Sequence, residues 1–265
     1  MKISISTLPF YPQPIEDILD HIIELNMGYC EIINEYPYDS LDYDRLNTYD
    51  VEYTLHAPLS DVNLASHVEI IRKASISLIK NSMDAARKLD TNIVVVHPGQ
   101  MPILGRKITP KVMKYNRESL KECSLYSEEV GVKMCVENMP DIDGLLFTNL
   151  DELNDLILDV DAYMTLDVGH AHNNSYTIED MLKYSRIEHI HLSDNDGSYD
   201  SHQALGNNKE DNGIEFITLF EDLRKINYEG FLVVEVDEPA SVKESIDFIK
   251  YLNNKKAVKL NNKNK

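Results

Sequence analysis

The sequence has no tryptophan, only three cysteines and no long apolar run. A membrane-spanning helix needs about 18 or more consecutive apolar residues, so we predict no membrane span and no membrane partner. Cys30, Cys123 and Cys135 form neither an even set nor a CxxC pair, which excludes a disulfide framework and a cysteine-based metal site. Cysteines this sparse, two of them in apolar runs, favour buried thiols in a reducing cytoplasm.

Basic residues are also scarce. The chain carries 26 Lys and Arg against 45 Asp and Glu, a net charge of −19. Nucleic-acid affinity depends on cations that neutralise phosphates, so this charge disfavours a nucleic-acid partner without excluding a local basic patch. A basic, Asn-rich cluster ends the chain, and we predict a frayed tail at 254–265 after one domain at 1–253.

Several catalytic signatures are missing. The sequence contains no GxSxG nucleophile elbow, no P-loop and no GxGxxG after a strand. The segment after the first predicted strand, STLPFYPQP, has no glycine, whereas an open dinucleotide-binding sheet usually needs a glycine-rich loop there. These absences argue against a serine hydrolase and against a nucleotide-binding fold.

What the sequence has is a regular alternation of short strand-like runs and longer amphipathic segments. The predicted strands are 2–6, 29–33, 51–56, 92–97, 133–137, 162–167, 189–192 and 231–235. The predicted helices are 15–25, 41–48, 68–89, 111–130, 150–158, 178–184, 214–226 and 241–252. Eight such units in 265 residues predict a closed (β/α)8 barrel, the TIM-barrel fold.

Polar residues fall at the ends of these strands. Six of the eight predicted strands end on, or carry near the end, a His, Asp or Glu after apolar residues. In a barrel all C-terminal strand ends meet on one rim, where such side chains would converge. Loop residues in DVGH and YDSH extend the set, which comprises His56, His97, Glu137, Asp167, His170, His191, Asp200, His202 and Glu235.

Imidazoles and carboxylates are the ligands that zinc, manganese, cobalt and iron accept. Nine ligands are too many for one ion with an open position, and they favour two or three ions, some bridged by a carboxylate. We expect divalent metal ions, zinc or manganese, at one to three per chain. His189 is expected to be a hydrogen-bonded interior histidine, while His172 could contact substrate or cap the next loop.

These motifs resemble those of the xylose isomerase-like TIM barrel superfamily, over nearly the whole chain. That group includes sugar and sugar-phosphate isomerases and epimerases, and also the endonuclease IV enzymes (AP endonuclease family 2), which cut DNA at abasic sites. The epimerase branch holds one divalent ion on four residues, and its two glutamates move a proton beside the carbonyl. The similar positions in this chain are Glu137, Asp167, His191 and Glu235.

The endonuclease branch is similar at all nine positions, in the order HAP, HPG, Glu-Asn, DxxH, the strand-seven His, DxH and the strand-eight Glu. There the residues hold three zinc ions that clamp a phosphate and activate a water. This chain differs where that branch contacts DNA. Leu59 replaces a tyrosine after HAP, and the strand-two loop NEYPYDSLDYD is acidic where an arginine is typical. The turn after DxH also differs, reading LGNNKEDNGIEF.

The resemblance implies two alternative enzymes. The first is a metal-dependent isomerase or epimerase of a sugar or sugar phosphate, in which Glu137 and Glu235 act as acid and base around a metal-stabilised enediolate. Arg106 and Lys107 could take its phosphate, although solvent exposure is the simpler interpretation of that pair.

The second is a zinc-dependent phosphoester hydrolase acting on abasic DNA or a smaller phosphodiester, with Glu137 bridging metals and orienting the attacking water. A barrel that only binds metal or sugar ranks last. Because the chain looks built for a compact ligand, the isomerase ranks first, and the oligomeric state is left open.

Overall fold

In the computed structural model, which describes residues 1–208 and 212–263 and side chains only up to residue 253, eight strands form a closed parallel barrel. Each strand pairs with the next, and β8 closes the ring against β1. The strands are β1 (Lys2–Ser6), β2 (Tyr29–Ile33), β3 (Glu52–His56), β4 (Ile93–Val96), β5 (Lys133–Glu137), β6 (Tyr163–Asp167), β7 (Ile187–Leu192) and β8 (Phe231–Val234). The predicted (β/α)8 barrel is therefore confirmed.

Helices lie between the strands in sequence. They are α1 (Ile15–Glu24), α2 (Tyr43–Leu46), α3 (Glu69–Lys88), α4 (Thr109–Val130), α5 (Leu150–Val160), α6 (Val168–Asn173), α7 (Ile178–Met181), α8 (Phe216–Lys225) and α9 (Pro239–Lys263). In α1 the buried residues Ile15, Ile18, Leu19 and Ile22 recur at the spacing of one helix face. This face joins the apolar core that the strands share with the helices. None of the helices in the described part of the chain is long and apolar enough to cross a membrane.

One feature differs from the predictions, and another lies largely outside the described residues. DVGH was placed in a loop, but α6 begins at Val168, directly after β6, so His170 lies on a helix. The reason is a cap: the Asp167 side chain accepts the backbone N–H of His170 at 2.6 Å. In the predicted tail at 254–265, the side chains and the last two residues lie outside the described part of the chain. The frayed tail therefore stays a prediction.

The three cysteines are free and buried. Burial raises the pKa of Cys123 to about 12 and raises that of Cys30 and Cys135 further. Because the thiolate is the reactive form, these residues are inert, structural thiols, as predicted.

The barrel interior is unusually polar just below its C-terminal rim. Glu31, Thr54, Thr165 and His189 are all fully buried. Glu31 is level with Thr54 on the neighbouring strand, and Thr165 is level with His189. Barrel interiors are normally filled by branched aliphatic side chains, so this layer of polar residues is unusual. Buried polar side chains need hydrogen-bonding or charged partners.

Candidate metal centre

All nine candidate ligands lie at the C-terminal rim of the barrel, in three groups, and within each group the ligand atoms lie within 4.8 Å of one another. The first group consists of His56, His97 and Glu137, and Glu137 also belongs to the second. His56, Glu137 and Asp167 are the last residues of β3, β5 and β6. His97 and Glu235 directly follow β4 and β8. The strand ends thus bring these side chains together at one rim of the barrel, as the sequence pattern indicated.

Glu137 lies at the centre of the arrangement. Its Oε2 atom is 3.3 Å from Nε2 of His56 and 3.2 Å from Nε2 of His97. Its Oε1 atom is 3.3 Å from Nδ1 of His191. Each carboxylate oxygen therefore faces a different group of donors, which is the geometry that lets one carboxylate bridge two cations.

The second group consists of Glu137, Asp167, His191 and Glu235. Nδ1 of His191 lies 3.0 Å from Oε2 of Glu235 and 3.8 Å from Oδ2 of Asp167. Four donors around one zinc ion at bonds of about 2.0 to 2.2 Å would be about 3.3 to 3.6 Å apart. The separations from Nδ1 of His191 to the three carboxylates, 3.0 to 3.8 Å, bracket that range, so this histidine and the carboxylates are close enough to share one ion.

The third group joins α6 to the loop after β7. Oδ2 of Asp200 lies 3.1 Å from Nε2 of His170 and 3.0 Å from Nε2 of His202. Although the sequence of this loop departs from the endonuclease pattern, the structure still brings Asp200 and His202 to His170. Catalytic zinc sites typically have three protein ligands, with water or substrate as the fourth, and this group supplies three donors.

The local fold orients three of the histidines in the same way. His56, His170 and His202 each place Nδ1 within 2.6 to 2.9 Å of a backbone carbonyl oxygen. The carbonyls belong to Ala57, Asn138 and Glu235, respectively. When Nδ1 donates its proton to a carbonyl, the lone pair of Nε2 is free, and in all three cases Nε2 faces a carboxylate of the site.

Several buried polar atoms of the site have no hydrogen-bond partner among the described residues. They include Oδ2 of Asp167, Nδ1 of His191 and Oδ1 of Asp200. A buried polar atom without a partner is costly, and buried carboxylates are normally paired or bound to metal. These atoms and their chemistry fit divalent cations of the kind that imidazole and carboxylate bind.

Burial and the neighbouring charges shift the pKa values of the residues in this cluster. Burial alone would raise the pKa of Glu137, but His191 and His97 outweigh burial and hold it well below its usual range. Burial raises the pKa of Asp167 to about 6. Burial would lower the pKa of His170, yet Asp167 and Asp200 raise it to about 9. A cation entering the site would therefore displace protons from the histidines.

Residues outside the nine have simpler roles. Nη2 of Arg106 pairs with Oδ1 of Asp143 at 2.8 Å on the surface, and Lys107 beside it is exposed. This supports solvent exposure over phosphate binding for that pair. Nε2 of His172 lies 2.8 Å from the carbonyl oxygen of Asn212, so His172 holds the loop after β7.

Glu31 was not singled out from the sequence. Its carboxylate is fully buried and lies 2.7 Å from Nε2 of His189, which is the hydrogen-bonded interior histidine that we predicted. The sequence does contain a signal for this residue, because Glu31 interrupts the apolar run YCEII of β2. An acidic residue in the middle of a buried strand needs a partner, and the partner lies on the far side of the barrel.

Comparisons with known proteins agree with the fold. The chain is 31% identical over 276 residues to an uncharacterised protein of Methanocaldococcus jannaschii, covering 98% of this chain and 93% of the relative. A second uncharacterised protein of that organism is 34% identical over 242 residues, covering 86% of this chain and 89% of the relative.

Among solved structures, a D-tagatose 3-epimerase-like protein superposes with a TM-score of 0.85 at 28% identity, over 98% of this chain and 100% of that one. The family profile described as xylose isomerase-like TIM barrel matches residues 35–252. The chain therefore belongs to the xylose isomerase-like TIM barrel family.

Proposed function

We propose that this protein is a divalent-metal-dependent isomerase or epimerase of a sugar or sugar phosphate. The observation that carries the proposal is the buried group of Glu137, Asp167, His191 and Glu235, whose donor atoms converge within 4.8 Å. The structural likeness to a D-tagatose 3-epimerase-like protein supports a sugar as the substrate class.

Two glutamates of this group supply the acid–base chemistry. Burial would raise the pKa of Glu235, as it would that of Glu137, but the charge of His191 lowers both, which favours the form in which either carboxylate can act as a base. A divalent ion held by the group would polarise the substrate carbonyl and stabilise an enediolate.

One carboxylate would take the proton from the carbon beside the carbonyl. The other, carrying a proton, would return one from the opposite face.

The experiment begins with metal analysis of the purified protein. The metal-loaded protein is then incubated with ketoses in deuterated water, and deuterium at the carbon next to the carbonyl is followed by proton NMR. We expect exchange and inversion at that carbon, both lost after chelation and restored by adding metal. A metal-loaded protein that exchanges no proton with any ketose or ketose phosphate would contradict the proposal.

A second candidate is a metal-dependent phosphoester hydrolase, with a smaller phosphodiester preferred over abasic DNA because of the net charge of −19. The observation that favours it is the third group of His170, Asp200 and His202, which proton transfer between two glutamates does not need. Nicking of abasic duplex DNA at physiological salt, or cleavage of bis(4-nitrophenyl) phosphate, without ketose exchange would put this function in place of the first.

A further inference from the structure

His191 is oriented differently from the other buried histidines of the site. In His56, His170 and His202, Nδ1 is held by a backbone carbonyl and Nε2 faces the carboxylates. In His191 it is Nδ1 that faces Glu137 and Glu235, at 3.3 and 3.0 Å. The nitrogen that must be held is therefore Nε2, and among the described residues no backbone carbonyl forms a hydrogen bond with it.

In His191, a carboxylate takes the place that a backbone carbonyl has beside His56, His170 and His202. Oε1 of Glu31 lies 2.9 Å from Nε2 of His191, with both side chains fully buried. Since β2 and β7 are not neighbours in the barrel, this contact crosses the interior. Glu31 thus reaches the metal centre from below, through the polar layer under the rim.

Glu31 is itself held in place. Its other oxygen, Oε2, accepts the hydroxyl proton of Thr54 at 2.9 Å and lies 2.7 Å from Nε2 of His189. Oε1 of Glu31 and Nε2 of His191 both lack a hydrogen-bond partner among the described residues, so the polar contact that each of them has is their approach to one another at 2.9 Å.

We propose that Glu31 is a positioning residue for the metal centre, which holds the proton of His191 on Nε2 and so directs the lone pair of Nδ1 at the cation. This rests on the metal-dependent function proposed above. The physical basis is general: a carboxylate or carbonyl that accepts the second N–H of a ligating histidine selects its tautomer, fixes its ring and strengthens the ligand. The competing role for Glu31 is only to be the hydrogen-bond partner of His189 inside the barrel.

The test compares two variants by metal affinity, not by activity alone. Glu31→Gln keeps the shape of the side chain and removes its charge. We expect its zinc affinity, measured by competition with a chromogenic chelator, to fall by about 10- to 100-fold, and the visible spectrum of the cobalt-loaded protein to change. Thr54→Val is the matched control, since it removes a hydrogen bond to Glu31 but leaves the contact with His191. Its zinc affinity should stay close to that of the wild type.

A second measurement uses the wild-type protein, so its result does not depend on whether a variant folds. In the zinc-loaded protein labelled with ¹⁵N-histidine, the Nε2 proton of His191 should give a downfield, slowly exchanging signal. Its absence, or wild-type zinc affinity in Glu31→Gln, would overturn the positioning role. Zinc binding by the wild type without epimerase activity would instead contradict the proposed function alone, and a wild type that binds no zinc would overturn both.

Discussion

Nε2 of His170 lies 3.1 Å from Oδ2 of Asp200, although the two residues belong to different βα units of the barrel. His170 is carried by α6, which starts at the end of β6 because Asp167 caps it. Asp200 lies in the loop after β7, which is held by Asp194, whose carboxylate accepts three backbone N–H groups from residues 206, 208 and 214. The third donor group is therefore built from two independently fixed segments.

The first prediction concerns the paired glutamates. Glu137→Gln and Glu235→Gln should each lower kcat for ketose epimerisation by at least about 100-fold, because each removes a proton-transfer group as well as a charged ligand. Steady-state kinetics on metal-loaded protein measure the effect. Glu122→Gln, on the surface in an ion pair with Lys80, should leave kcat unchanged. Wild-type turnover in either active-site variant would remove that glutamate from the mechanism.

The second prediction separates the two candidate functions. His202→Asn should reduce the zinc content of the saturated protein by up to one ion per chain, since it removes one of three donors of the third group. For an isomerase that uses the Glu137 group, kcat should change little. For a hydrolase that needs the third ion, kcat should fall by orders of magnitude. Zinc content by elemental analysis and both assays decide between them.

The third prediction is a pH dependence of the metal-free protein. The pKa of His170 is raised from 6.5 to about 9 in the folded chain by Asp167 and Asp200. A histidine with a raised folded-state pKa contributes stability that is complete below about 6.5 and is lost as the pH rises through about 9.

Urea unfolding of the chelated wild type and of His170→Asn checks the sign of this effect. The difference in unfolding free energy between them should shrink by up to a few kcal/mol between the two ends of that pH range. A difference that is independent of pH would contradict the raised pKa.

The fourth prediction concerns Asn138, which follows Glu137 and is fully buried. Its side chain accepts the N–H of Asp167 at 2.8 Å and donates to the carbonyl of Asp167 at 2.9 Å. Asn138→Ala should cost about 1 to 3 kcal/mol in the unfolding free energy, because it leaves buried backbone groups unpaired. It should also weaken zinc binding, because Asp167 loses its support.

A matched control exists on α5. Asn149 caps this helix by accepting the N–H of Glu152 at 3.0 Å, so Asn149→Ala should cost about 1 kcal/mol in stability. Its zinc affinity should equal that of the wild type. Equal zinc affinity in Asn138→Ala would show that Asn138 acts on stability only.

The barrel and the residues at its rim could be predicted from the sequence because the signals for both are local. Strands such as β5 and β6 are apolar runs that end on Glu137 and Asp167, and this pattern appears within a few neighbouring residues. Once eight such runs alternate with helices, the barrel topology places all their ends on one rim. No long-range contact had to be known to predict that rim.

The sequence by itself determined the eight alternating units and the nine imidazole and carboxylate side chains at the rim, because strand period, helix period and residue type are local properties. Only the tertiary structure decided which donors face one another, that Asp200 meets His170, and that Glu31 contacts His191 across the barrel. Those contacts join segments up to about 160 residues apart, and their distances depend on barrel closure, loop course and side-chain rotamers that no short stretch of sequence specifies.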